Sequence, residues 1–325
     1  MLKWLIKIYT RQIIGVFWYM IPMGVKNIIL KYQHKKKIAR DLRVYRDYRV
    51  STEEVLMVLN KLDVQGDVLV HSSLLSIGNI QGKHKVFTRY LEENVLRVGN
   101  NILFVAIPIK GSSYEYLKSI DTFDEQAPNA MGVLSNHYMH QSSSLRSLNP
   151  THSVIALGPL AHYYVDYHHL DKTPFTMNSP YYKLLERNGS VMIIGAGLKH
   201  LTLGHLVEDM LGEDFPCKVY SFKDFEVRVR TREGDIFNGI YKAHHPFMSA
   251  IRTAEYIYSK IQLLPSTKII PIGNSNIILL NARDVVVCML QELEIGMTIY
   301  GYRRISSRCR QKIKYWINKI SHMPT

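Results

Sequence analysis

Cysteine is scarce in this chain: only Cys217, Cys288 and Cys309 occur among 325 residues. Their spacing allows no C-x-x-C site, and so few thiols argue against a disulfide-stapled secreted domain and for a reducing, cytoplasmic setting. Long apolar runs are missing too. The uncharged, largely apolar stretch Gln12–Val25 has fourteen residues and contains Pro22 and Gly24, whereas a spanning helix needs roughly 20. Lysines flank it on both sides and no small-residue cleavage site follows, which disfavours a signal peptide. There is no G-x-S-x-G elbow for a hydrolase nucleophile and no H-E-x-x-H metal motif. Gly195-Ala196-Gly197 lacks the third glycine of a dinucleotide fingerprint. Fourteen histidines include His137-x-x-His140 and His244-His245, but without a cysteine or H-E-x-x-H partner set they read as loop or surface histidines, and no metal is expected.

Acidic residues are absent from both ends. Residues 1–40 hold nine Lys and Arg with no acid, and residues 301–325 hold seven with none. The formal net charge of +14 therefore belongs to the ends, since residues 41–300 carry 25 cations against 27 acids. Two readings of the N-terminal segment stand side by side. It is a helix packed on the body, or an interfacial anchor whose Trp18 and Tyr19 suit a headgroup boundary and whose cations suit an anionic leaflet. Nucleic acid is not expected as a partner, because no reading helix or RNA-binding signature accompanies the charge.

The body is ordinary in composition, 46% apolar and 21% charged, and alternates short apolar strands with helical patterns. Ser51-Thr52-Glu53-Glu54 has the capping logic of a helix start, and Val55, Leu56, Val58, Leu59 and Leu62 follow at helical spacing. Asp67–His71 reads as a buried strand. Further strands are expected over Asn101–Ile109, Ser153–Leu157, Ser190–Gly195, Val219–Val229 and Lys268–Pro271, with helices over Tyr181–Arg187 and Leu203–Leu211. This is the pattern of an α/β fold, a mixed central sheet flanked by helices. No repeat and no Pro/Gly-rich linker divides residues 50–300.

Chemistry in such sheets collects at strand ends, and four segments there stand out. They are His71-Ser72-Ser73-Leu74 with Ser76 and Gly78; Phe123-Asp124, then Arg146-Ser147-Leu148-Asn149-Pro150 with His152 and Ser153; His168-His169-Leu170-Asp171 before Ser179-Pro180; and Gly195, then Thr202-Leu203-Gly204-His205-Leu206-Val207-Glu208. In this order they resemble the V-H-S-S-L-x-x-x-G, F-D, R-S-x-H-P-x-x-S, H-x-L-D…S-P and T-x-x-H-x-x-E marks of the aminoglycoside 3-N-acetyltransferase-like (antibiotic N-acetyltransferase) family. Two positions depart from it, Asn149 where the family has His and Thr176 where it has Gly, and both bear on the acceptor.

The resemblance implies an antibiotic N-acetyltransferase-like fold over residues 46–300, between a basic amphipathic N-terminal tail (1–45) and a basic C-terminal tail (301–325). It implies direct acetyl transfer from acetyl-CoA to an amino group of a sugar. The attacking amine must lose a proton, a task suited to histidine. His168 is the expected base with Asp171 orienting it, His169 is the alternative one residue along, and His71, His205 and Glu208 complete the catalytic set. Ser72, Ser73, Ser76 and Gly78 form the expected acetyl-CoA turn. Asp124, Arg146, Asn149, His152, His169 and Thr202 are the expected acceptor contacts, although Arg146 and Asn149 read equally well as a turn. Thr202, His205 and Glu208 share one helical face, either as a cap with a surface acid or as a polar face in the cleft. A near-neutral body and basic ends favour an amino sugar of a cell-surface polysaccharide pathway, on a nucleotide or lipid phosphate, over a polycationic antibiotic. Peripheral attachment to the inner membrane face goes with it. The reading from a different class is a membrane-attached assembly protein that keeps the fold without catalysis.

Overall fold

The computed structural model describes residues 2–108 and 111–324. Its centre is a seven-stranded mixed sheet in the order Lys268–Ile272, Ser275–Asn281, Ser190–Ile194, Val68–Ser72, Ile102–Val105, Val154–Leu157, Leu145–Arg146. The three inner strands run parallel and the outer pairings are antiparallel. Val68-Leu69-Val70 is continuously apolar because this central strand is covered on both faces. Pro271 sits in the edge strand, where its missing N–H costs no central ladder bond. The expected mixed α/β sheet is thus present, with strands at Ser275–Asn281 and Ile236–Tyr241 that the apolar pattern had not marked.

Side chains alternate between two cores. Leu69, Leu103 and Val191 face one core, and Val70, Phe104 and Met192 face the other. Each fully buried aliphatic side chain contributes about 1.5–3 kcal/mol. Helix Lys85–Leu91, which links the central strand to Ile102–Val105, packs in the second core, whereas helix Pro180–Glu186, which precedes Ser190–Ile194, packs in the first. The chain therefore winds in opposite directions on the two sides of Val68–Ser72, and a crevice opens outside the C-terminal end of that strand. A second sheet, Ile236–Tyr241, Phe225–Arg230 and Thr122–Phe123, has its own small core around Phe123, Val227 and Val229.

The expected helix start holds: Ser51 accepts a hydrogen bond from the Glu54 N–H at 3.1 Å and helix Thr52–Leu62 follows. The ends of the chain differ from free tails. Helix Ser307–Ser321 buries Cys309, Ile313, Trp316 and Ile320 in the first core and shows only its outer face as basic. At the other end, Pro22 separates helix Leu2–Met20 from helix Met23–Asp47. The first of these docks through Ile8 and Gly15, where any Cβ would run into the Ala250 carbonyl oxygen. No described helix is long and apolar enough to cross a membrane.

Candidate active site

An open cleft of about 1470 Å³ lies at the crevice, lined by His71, Ser72, Ser73, Thr151, His152, Thr202, His205, His244, Arg252 and Tyr300, among others. A small-molecule site typically occupies about 300–1,000 Å³, so the volume has room for two substrates together. Trp18, Tyr19, Lys26 and Lys37 of the N-terminal helices form part of its wall.

A polar array stands on one side of the cleft. The turn Thr202–His205 runs into helix Leu206–Leu211, and this places His205 and Glu208 three residues apart on one face. His205 Nδ1 is 2.9 Å from Glu208 Oε1, His244 Nε2 is 2.8 Å from Glu208 Oε2, and the Tyr300 hydroxyl donates to Glu208 Oε1 at 2.8 Å. On its far side, His205 Nε2 lies 3.1 Å from Arg252 Nη1. A guanidinium only donates. His205 is therefore a neutral imidazole, with its proton on Nδ1 toward Glu208 and a lone pair on Nε2. Burial lowers its pKa, with Glu208 opposing. Burial disfavours the charged form of Glu208, but the electrostatic pull and hydrogen bonds of His205 and His244 outweigh it and hold this carboxylate below its ordinary range. The ligating atoms of His205, Glu208 and His244 lie within 4.8 Å of one another. They form a His₂Glu set of the kind that zinc takes, here satisfied by mutual hydrogen bonds.

His71, at the end of the central strand, faces Thr202, with Nε2 3.4 Å from Oγ1. Burial and the nearby His200 push it down to about 3. His152 lies in the same cleft, tilted against Phe175 with ring centroids 4.9 Å apart. Asn149 holds it there by accepting from the N–H groups of Thr151 and His152, both at 3.1 Å, and from the Thr151 hydroxyl at 3.0 Å. Asn149 itself is a buried turn residue, not an acceptor contact.

Several expected site residues lie elsewhere. His168 is fully buried, with Nδ1 2.8 Å from the Ser147 hydroxyl and Nε2 2.9 Å from the Pro174 carbonyl. The carbonyl only accepts, so Nε2 carries the proton and Nδ1 takes the serine hydrogen; both partners are buried and His168 is not part of the cleft lining, so no substrate reaches the ring. Asp171 accepts from Thr176 and does not orient it. His169 packs its ring on Phe237 outside the cleft lining. Asp124 caps its own turn through the Gln126 N–H. Arg146 is a buried strut that donates to the carbonyls of Ala106, Glu125, Ala127 and Pro128 and to Ser153 Oγ. Of the expected acetyl-CoA turn, Ser72 and Ser73 line the cleft, while Ser76 is bonded to Ser73 and Gly78 is a packing residue. Gly78 has φ +137°, and a Cβ there would meet the Tyr48 carbonyl oxygen at 2.5 Å. Conversely, His244, Arg252 and Tyr300 were not marked in the sequence. His244 stood only in a His-His pair read as surface.

The buried neutral histidines make stability depend on acid. Burial pushes His168 down to about 3, as it does His71, against an ordinary value near 6.5. The unfolded chain takes up protons below about 6.5 and the folded chain does not until about 3, so stability is complete above the upper value and is lost as pH falls through this window. Thermal melts followed by circular dichroism should show a lower Tm at about pH 5 than at about pH 7; an equal Tm would contradict the buried, neutral placement.

Residues 69–294 match the family model of aminoglycoside 3-N-acetyltransferase. The chain is 27% identical over 194 residues to aminoglycoside N(3)-acetyltransferase III of Salmonella sp, covering 55% of this chain and 65% of that one. It is 35% identical over 88 residues to aminoglycoside N(3)-acetyltransferase VIII of Streptomyces fradiae, covering 27% and 30%. The matches thus span less than two thirds of these curated relatives. Among solved structures, the fold resembles AAC-IIIb in its binary complex with CoASH, with a TM-score of 0.61, 22% identity and coverage of 76% of this chain and 97% of that one. It likewise resembles aminoglycoside acetyltransferase AAC(3)-Xa, with a TM-score of 0.61, 20% identity and coverage of 80% and 97%. With the family model matched over most of its body, the chain belongs to the aminoglycoside 3-N-acetyltransferase family.

Proposed function

We propose that this protein is an acetyl-CoA-dependent N-acetyltransferase acting on an amino group of a sugar, with residues 46–300 as its catalytic unit and His205 as its general base. The observation that carries the reading is the His205–Glu208 pair at the cleft, inside the segment shared with the family. A structural relative with CoASH bound supports acetyl-CoA as the donor. In the resting site the His205 Nε2 lone pair accepts from Nη1 of Arg252, a side chain that itself lines the cleft. The acceptor amine takes the place of the guanidinium, and Nε2 then receives the amine proton as the nitrogen attacks the thioester carbonyl. The new N–C bond forms, the C–S bond breaks, and the imidazolium returns the proton to the departing thiolate. Glu208 holds the imidazole tautomer and stabilises the imidazolium, while His244 and Tyr300 fix the carboxylate. Ser72, Ser73, Thr202 and His152 are the proposed binding contacts around this centre, and His71 positions Thr202.

The acceptor we favour is an amino sugar of a cell-surface polysaccharide pathway carried on an anionic group, used at the inner face of a membrane. Five Lys and Arg against two acids line the cleft, the reverse of what a polycationic drug calls for. Free-thiol release from acetyl-CoA tests both levels. Turnover of a UDP- or dTDP-amino sugar with higher kcat/KM than kanamycin- or gentamicin-type drugs is expected. Preference for the drugs would remove the acceptor assignment alone, and no release with any amine would favour the non-catalytic assembly protein.

The depressed pKa of His205 sets the pH profile. The base is neutral across physiological pH, so the acid limb of kcat/KM should lie below the ordinary histidine value of about 6.5, with a plateau above it. An acid limb centred above that value would exclude His205 as described.

A further inference from the structure

Helix Leu2–Met20 has two apolar faces. One is docked, with Ile8 buried, Gln12 Nε2 donating to the Tyr300 carbonyl at 2.5 Å, and Gly15 against Ala250. On the opposite side Ile6, Tyr9, Ile13, Phe17 and Met20 follow one another at helical spacing and are 50–71% exposed. Helix Met23–Asp47 continues the surface: all ten residues 31–40 are exposed, with Lys31, Lys35, Lys36, Lys37 and Arg40 among them. An apolar stripe beside cations, with no acid in residues 1–40, is complementary to a sheet of negative charge over hydrocarbon. It is not complementary to itself, since a second copy would bring two acid-free cationic segments together.

We propose that the outer faces of these two helices dock on an anionic lipid bilayer and hold the mouth of the cleft against it. Trp18 and Tyr19, one turn or less from Phe17 and Met20, line the cleft. The wall of the site and the docking surface are thus two sides of one helix. The consequence for catalysis rests on the acetyltransferase reading: the acceptor amine is reached at the headgroup layer, as a sugar on a lipid phosphate.

The test uses the full chain and co-sedimentation with phosphatidylcholine vesicles, with or without about one third phosphatidylglycerol. Binding to the anionic vesicles is expected to exceed binding to the neutral ones by at least about 10-fold and to weaken with salt. The triple variant Ile6→Glu, Ile13→Glu, Phe17→Glu should lose at least about 10-fold of it, with an unchanged Tm and unchanged thiol release with a UDP-amino sugar. Equal binding by the variant, or equal binding of the native chain to neutral vesicles, would overturn the proposal. So would a native dimer in sedimentation velocity that the variant converts to monomer, because the stripe would then be an interface between copies. If no amine supports thiol release while vesicle binding behaves as expected, the enzymatic reading fails and the docking surface stands.

Discussion

Replacing His205 by Asn is expected to lower kcat by about 10² to 10⁴ while leaving acetyl-CoA binding near its native value. The amide keeps a donor for Glu208 but offers no basic lone pair, so the amine must shed its proton to water. The contrast is His168→Asn. Its imidazole bridges Ser147 and Pro174 inside the protein, so this change should lower Tm and leave the surviving enzyme with near-native kcat per folded molecule. Calorimetry with CoA, active-site-normalised turnover and a melt separate the two. Near-native kcat in the His205 variant would reject the mechanism, and a specific kcat loss in a stable His168 variant would return the role to that residue.

Arg146→Met should be the most damaging single change to stability among the residues first read as substrate contacts, costing about 3–5 kcal/mol. The guanidinium gathers four backbone carbonyls and one hydroxyl. Burial lowers its pKa to about 10, with the neighbouring Tyr116, Asp124 and Glu125 opposing, so it stays charged at neutral pH. Methionine fills similar volume yet removes the Arg146 donor from the Glu125, Ala127 and Pro128 carbonyls and leaves Ala106 only the Ser153 hydroxyl. In a protein of this size a fall in Tm of about 4–7 °C is expected, with acceptor KM unchanged in the folded fraction. An unaltered Tm with a tenfold rise in KM would restore the substrate-contact reading.

What the sequence disclosed follows from the range of each interaction. The central strands were visible because double burial imposes continuous apolar runs, and Thr202, His205 and Glu208 because helical spacing is local. The partners of the His205–Glu208 pair are not visible in the sequence, since His244 and Tyr300, which bond Glu208, and Arg252, which bonds His205, arrive through topology from 39 to 95 residues beyond His205. His168 misled for the same reason. The pattern is local, and only the packed structure shows the ring enclosed away from the cleft with both nitrogens bonded to buried protein groups. At the C-terminus the apolar residues Cys309, Ile313, Trp316 and Ile320 did repeat with helical period, and the surrounding seven cations drew the reading toward a tail.

The bond from Gln12 to the Tyr300 carbonyl and the bond from the Tyr300 hydroxyl to Glu208 share one residue. Both Gln12 and Tyr300 lie outside residues 69–294, the segment that matches the family model. The first helix is therefore not an interchangeable module. A chimaera that takes its leading segment from a relative must also take the residues around position 300, because the support of the Glu208 carboxylate passes through the junction between them.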